Sequence, residues 1–202
     1  MKYVSIDIET TGMDCAKNQM IQFGAVIEDT DNVLPVEELP TFDALLLHYS
    51  YVVDPFCLDF HAKLYDKMGS VKGVEFECQE KDNVTSVVTN VSKSPQNLEI
   101  LFKIFLKKNG IDANKKIIVA GKNFTGFDAG WVKPAMPGLK FHHRVLDPVT
   151  LFVKDTDTQP PNLKQCAERA NVSFKADGYH TAVSDAIMVI ELLRSGWNLE
   201  EK

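Results

Sequence analysis

The chain has 202 residues, and its 22 lysines and arginines against 28 aspartates and glutamates leave a formal net charge of −6. An apolar share of 45% and a charged share of 25% are those of an ordinary globular protein, which excludes wholesale disorder. No apolar run approaches the ~18–20 residues of a membrane span, and the acidic balance argues against a protein that coats long stretches of phosphate backbone.

At ~100–200 residues per domain the length predicts one domain over 1–202, with 69–95 as a long loop or insertion. The opening MKYVSIDIET alternates apolar and polar residues and does not read as a signal peptide. Cys15, Cys57, Cys78 and Cys166 form no CxxC pair, so they read as free packing thiols of a reducing, cytoplasmic compartment.

In chain order, residues 2–9 and 20–29 read as strands and 42–53 as a third. Pro55 opens a short helix in which Phe56, Phe60 and Leu64 repeat at i, i+4, i+8. A stronger helix spans 95–108, with Pro95 in its first turn. Ile117–Ala120 reads as a short apolar strand, and helices follow near 124–133, 162–170 and 181–195. Strands first and alternating elements after predict an α/β fold, a mixed sheet flanked by helices.

Three segments put carboxylates where apolar residues are expected. In the first strand Val4, Ile6 and Ile8 share one face while Ser5, Asp7 and Glu9 share the other, which spaces the two acids roughly 6.5–7 Å apart along the strand. The turn Thr10-Thr11-Gly12-Met13-Asp14 follows at the strand end, where sites of α/β proteins tend to lie. In the last helix Ala182, Asp185, Ala186, Val189, Ile190 and Leu193 make one stripe, of which Asp185 is the charged member. A buried Asp–Arg pair or a helix N-terminal acid is the plain alternative there. His180 falls on the loop before that helix. Asp128, in Asn123-Phe124-Thr125-Gly126-Phe127-Asp128, leans on an apolar face near Trp131, or is a half-exposed helix acid.

Two carboxylates ~5 Å apart repel by about 3 kcal/mol at an effective dielectric of 20. Four acids from three elements could therefore converge in ionised form only around cations. Oxygen-only ligands suit Mg²⁺ or Mn²⁺, and two such ions held ~3.5–4 Å apart are built for in-line phosphodiester displacement. A histidine beside them is suited to take a proton from the attacking water.

Asp7-Ile8-Glu9-Thr10-Thr11-Gly12, Asn123-x-x-x-Phe127-Asp128 and His180-x-x-x-x-Asp185 resemble, in order and spacing, the three motifs of the DEDDh (DnaQ-like) 3′–5′ exonucleases. The resemblance runs from residue 3 to about 195 and implies a ribonuclease H-like fold. It implies that Asp7, Glu9, Asp128 and Asp185 coordinate two Mg²⁺ or Mn²⁺ ions and that His180 activates water. Thr10 and Thr11, through their backbone, and Gly12 would hold the terminal nucleotide. Met13 would act as a wedge against its base, and Asn123 and Phe124 would contact substrate. The implied partner is the 3′ end of single-stranded DNA or RNA, with a polymerase or repair protein as a further partner and no membrane.

Lys122 stands where many members carry histidine, as an added phosphate contact or a neutral change. Arg144-Val145-Leu146-Asp147 reads as structural support rather than a substrate contact. Phe56, Phe60, Phe124 and Tyr65 read as core more than as base-stacking platforms. His142 and His143 have neither HExxH spacing nor a nearby cysteine, and His61 falls on the expected helix near the cleft without an assigned role. A non-catalytic nucleic-acid-binding module of the same fold is the alternative. A metal-free hydrolase with two carboxylates leaves Asp128, Asp185 and His180 unexplained.

Overall fold

β1 (Lys2–Thr10) pairs antiparallel with β2 (Met20–Asp29) along its whole length and parallel with the short β7 (Val119–Ala120) at Val4 and Ser5. It is therefore an interior strand. The computed structural model describes residues 1–71, 76–81, 84–89, 95–173 and 181–199. β2 continues antiparallel into β3 (Thr41–Leu46). β3 runs parallel to β5 (Val84–Thr89), and β5 antiparallel to β4 (Phe76–Lys81), giving the mixed order β4-β5-β3-β2-β1-β7.

Three expectations are corrected. The strand expected over 42–53 stops at Leu46, because residues 51–54 turn back to bond the loop after β1. The stretch 69–95 holds the paired strands β4 and β5, in keeping with its β-branched residues. Ile117–Ala120 is divided: β6 (Lys116–Ile117) pairs with β8 (Lys140–Phe141) in a separate two-stranded sheet, while β7 joins β1.

Helices cover both faces. α1 (Pro55–Phe60) and α2 (Ala62–Gly69) follow β3, and α3 (Pro95–Lys108) follows β5. α4 (Ala129–Ala135), α5 (Val149–Phe152), α6 (Leu163–Ala170) and α7 (Ala182–Trp197) complete the chain. Val4, Ile6 and Ile8 bury one face of β1 with Phe23 and Phe42, against Leu98 and Phe102 of α3 and Trp131 of α4. The Phe23 and Phe102 rings meet edge to face at 5.0 Å, a favoured aromatic geometry. On the other face Tyr3 and Val26 pack against Ala186, Val189, Ile190 and Leu193 of α7. Among the described residues no helix is long and apolar enough to cross a membrane. Cys57 and Cys166 are buried thiols, as expected, whereas Cys15 is exposed.

α7 is anchored at both ends. At its start Thr181 and Ser184 form a capping box. Near its end Arg194 Nε donates to Glu28 Oε2 of β2 at 2.6 Å and Nη2 donates to the Leu34 carbonyl at 2.7 Å, with both charged side chains buried. The arginine of α7 thus pairs with Glu28 of β2. Arg194→Met would leave Glu28 buried and uncompensated. It is expected to cost about 3–5 kcal/mol of unfolding free energy, read by denaturant titration.

Candidate metal centre

Period-two alternation puts Asp7 and Glu9 on the α7 face of β1. Their cross-strand partners are Gly24 opposite Asp7 and Gln22 opposite Glu9. Gly24 is what lets α7 approach, since a Cβ there would lie 2.4 Å from the Ala182 carbonyl carbon and 2.5 Å from the Val183 nitrogen. Because α7 begins over Gly24, its first turn lays Asp185 beside the two strand acids. Single carboxylate oxygens of Asp7, Glu9 and Asp185 lie within 4.8 Å of one another.

Asp128 completes the group from a third element. Val4 donates its N–H to the Ile118 carbonyl, so the even-numbered amides of β1 point toward β7. The β7 pairing ends at Ser5–Ala120, and beyond it the Ile8 amide acts on the Asp128 carboxylate to hold its pKa down. Asp128 is buried, which decides against a half-exposed helix acid. The helix expected from 124 begins only at Ala129, because residues 123–128 form turns with Asn123 in the left-handed region at φ 54°. Asp147 holds that turn by accepting the Asn123 N–H at 2.9 Å, the supporting role expected of the Arg144–Asp147 stretch.

The electrostatics are those of like charges out of water. Burial first, and then the charges of Asp128, Glu9 and Asp185, push the Asp7 carboxyl well above its usual range, with Lys122 acting in the opposite sense. Burial, Asp185 and Asp128 raise Glu9 to about 8. Burial raises Asp128 to about 7, against the hydrogen bonds from its own amide and Ile8 and the charge of Lys122. Lys122 is thus a cation within reach of the carboxylates. Glu9 Oε1 is buried with no hydrogen-bond partner. A buried carboxylate oxygen without a donor beside two other carboxylates fits a divalent oxygen-seeking cation, and the donor set of Asp7, Glu9, Asp185 and Asp128 is all oxygen.

Other expected residues fall in different roles. His180 lies outside the described residues; the description resumes at Thr181, the N-cap of α7. Thr11 is tied into the framework. Its N–H donates to the Gln19 carbonyl at 2.9 Å, its carbonyl accepts from Asp54 N–H at 2.8 Å, and its hydroxyl bonds the Val52 carbonyl. The Thr10 hydroxyl is likewise held by the Gly12 carbonyl at 2.7 Å. Gly12 is packed so that a Cβ would sit 2.2 Å from Asp54 Oδ2. Met13 projects from this clasp, 75% exposed. The Phe124 ring is buried in the core against Phe141.

Phe56 and Phe60, expected in the core, are 74% and 45% exposed on α1 and stack on each other at 5.4 Å. Their i, i+4 spacing marks one helix face, and that face is turned outward. Phe60 also meets the ring of His61 at 4.9 Å, and buried His61 Nε2 lies 3.5 Å from Glu9 Oε2. His61 therefore borders the carboxylates, in keeping with its expected place near the cleft.

Asp7, Glu9 and Asp128 hold protons to higher pH in the folded chain than in the unfolded one, so the folded state binds more protons between about pH 4 and about 8. Stability of the metal-free protein is therefore expected to fall as the pH rises from about 4 to about 8. Saturating Mn²⁺ should raise the melting temperature, and by more at pH 8 than at pH 5, in thermal melts across that range.

No protein-family model matches the chain, and no curated protein matches it in sequence. Solved structures do match. The crystal structure of cell-death related nuclease 4 superposes with a TM-score of 0.63 at 14% identity, covering 98% of this chain and 64% of that one. E. coli exonuclease I in complex with a dA16 oligonucleotide gives 0.60 at 14% identity, over 98% of this chain and 41% of that one. The zinc-bound exonuclease I–single-stranded DNA complex from E. coli gives 0.56 at 14% identity, over 96% of this chain and 40% of that one. The chain thus spans about two fifths of exonuclease I and somewhat under two thirds of the nuclease, and it shares with them a mixed α/β sheet flanked by helices in the ribonuclease H-like manner.

Proposed function

We propose that this chain is a metal-dependent 3′–5′ exonuclease of the DEDDh type, with the catalytic domain extending over 1–202. It would hydrolyse the terminal phosphodiester of single-stranded DNA or RNA and release nucleoside 5′-monophosphates. The observation that carries this reading is the convergence of Asp7, Glu9 and Asp185, three carboxylate oxygens within 4.8 Å, with Asp128 beside them. The nuclease fold and the zinc and single-stranded DNA held by exonuclease I support it.

Asp7, Glu9, Asp128 and Asp185 are the residues to hold two Mg²⁺ or Mn²⁺ ions. Such ions, when bound, neutralise charge building on the phosphate and make the attacking water more acidic. The chain does the rest. His180, just ahead of the α7 N-cap, is the candidate general base for that water, because an imidazole titrates near neutral pH. Lys122 adds a fixed positive charge at the rim. Asp54 accepts the Met13 N–H at 3.3 Å and stands immediately before α1, so it ties the Met13 turn to the helix that carries Phe56 and Phe60. These exposed apolar groups suit stacking by unpaired bases, which is how single strands are held without reading sequence.

A panel of end-labelled single- and double-stranded DNA and RNA, digested with Mg²⁺ or Mn²⁺, tests polarity and sugar preference together. Mononucleotides released from the 3′ end alone are expected, and full activity in excess chelator would contradict the proposal. Asp185→Asn should reduce turnover by more than about a hundredfold, beyond the loss typical of an outer-shell partner. Phe60→Ala should weaken single-strand binding by about 1–3 kcal/mol with an unchanged melting temperature, read by fluorescence anisotropy on a labelled oligonucleotide.

A further inference from the structure

Gln22 is the polar residue of an otherwise apolar run, Ile21-Gln22-Phe23-Gly24-Ala25-Val26-Ile27, and it is buried to 2% exposure. An amide in that position needs partners, and it has one at each end. Its Oε1 accepts the backbone N–H of Ala182 at 3.2 Å, across 160 residues of sequence. Its Nε2 donates to Asp43 Oδ1 of β3 at 2.6 Å, and Asp43 Oδ2 faces Lys67 Nζ of α2 at 3.5 Å.

The Ala182 amide is one of the first N–H groups of α7, which have no partner within the helix. The capping box of Thr181 and Ser184 serves the Ser184 and Thr181 amides and leaves that of Ala182 to Gln22. Ala182 is three residues ahead of Asp185, so the two lie on one face, a turn apart. Gln22 is also the direct cross-strand neighbour of Glu9. One side chain therefore sits next to one metal-site carboxylate and fixes the helix turn that delivers another. Gly24 allows α7 to come close; Gln22 sets where along β2 it stops.

We infer that Gln22 is the positioning residue of the carboxylate site: by holding the Ala182 amide it sets the place of Asp185 against Asp7 and Glu9. The inference rests on the metal-site reading above, and its readout does not depend on nuclease activity.

The test is direct Mn²⁺ binding, by electron paramagnetic resonance titration of free Mn²⁺, with the melting temperature of each metal-free variant as a check of folding. Gln22→Met keeps the volume and removes both hydrogen bonds. It is expected to weaken Mn²⁺ binding roughly tenfold, the scale of a lost outer-shell partner. The double variant Q22E/D43N keeps the net charge and exchanges donor for acceptor between residues 22 and 43, while leaving an oxygen for the Ala182 amide. It is expected to restore binding to within about twofold of wild type, a rescue that loss of packing alone would not show. A folded Gln22→Met protein that binds Mn²⁺ like the wild type, or a double variant no better than Gln22→Met, would overturn the assignment. If Gln22→Met does not fold, Asp43→Ala decides: it frees the far end of Gln22 and should weaken binding about threefold, and unchanged binding overturns the inference. Wild-type protein that binds Mn²⁺ but degrades no oligonucleotide would refute the exonuclease reading and leave Gln22 in its role.

Discussion

The structure depends on keeping like charges together away from water. Asp7, Glu9 and Asp128 are pushed toward their protonated forms by burial and by one another, and Asp185 adds its charge to the same space. A fold that only sought stability would fill this position with apolar side chains, as it does elsewhere along β1 and α7. The cost is localised and the rest of the architecture offsets it: a sheet with apolar cores on both faces, a buried ion pair at the far end of α7, and a capping box at the near end. Destabilised charge of this kind is a common mark of functional sites.

The place of each carboxylate follows from the backbone around it. The two strand acids follow from the pleat. Asp128 lies just before α4, beyond the point where the β7 pairing with β1 ends. Asp185 is fixed by the contact of the α7 N-terminus with Gly24 and Gln22. Rigid elements are better than loops at keeping ligand geometry, and here a strand and a helix start meet with the turn that opens α4.

What the sequence made legible was whatever local periodicity controls. Alternation put Asp7 and Glu9 on one face, helical spacing put Asp185 on the core side of α7, and both placements agree with the structure. Periodicity could not say which side of an amphipathic helix meets the core when the helix is short. α1 has only six residues, and its Phe56 and Phe60 face outward. Nor could it see contacts made across the chain. Thr11 resembles a substrate contact in its motif, yet its bonds run to Gln19, Val52 and Asp54, which no local pattern announces. Gln22 did leave a trace, one amide in a run of apolar residues, but its meaning required knowing that Ala182 lies above it.

The contact from Phe60 through His61 to Glu9 has a thermodynamic consequence. A base resting on Phe60 and a cation resting on Glu9 would each bear on a neighbour of the same imidazole. Free-energy linkage between two ligands is reciprocal: whatever the cation does to the affinity for the strand, the strand does in equal measure to the affinity for the cation. If a strand and a cation bind as proposed, His61 would give that exchange a physical route of two contacts.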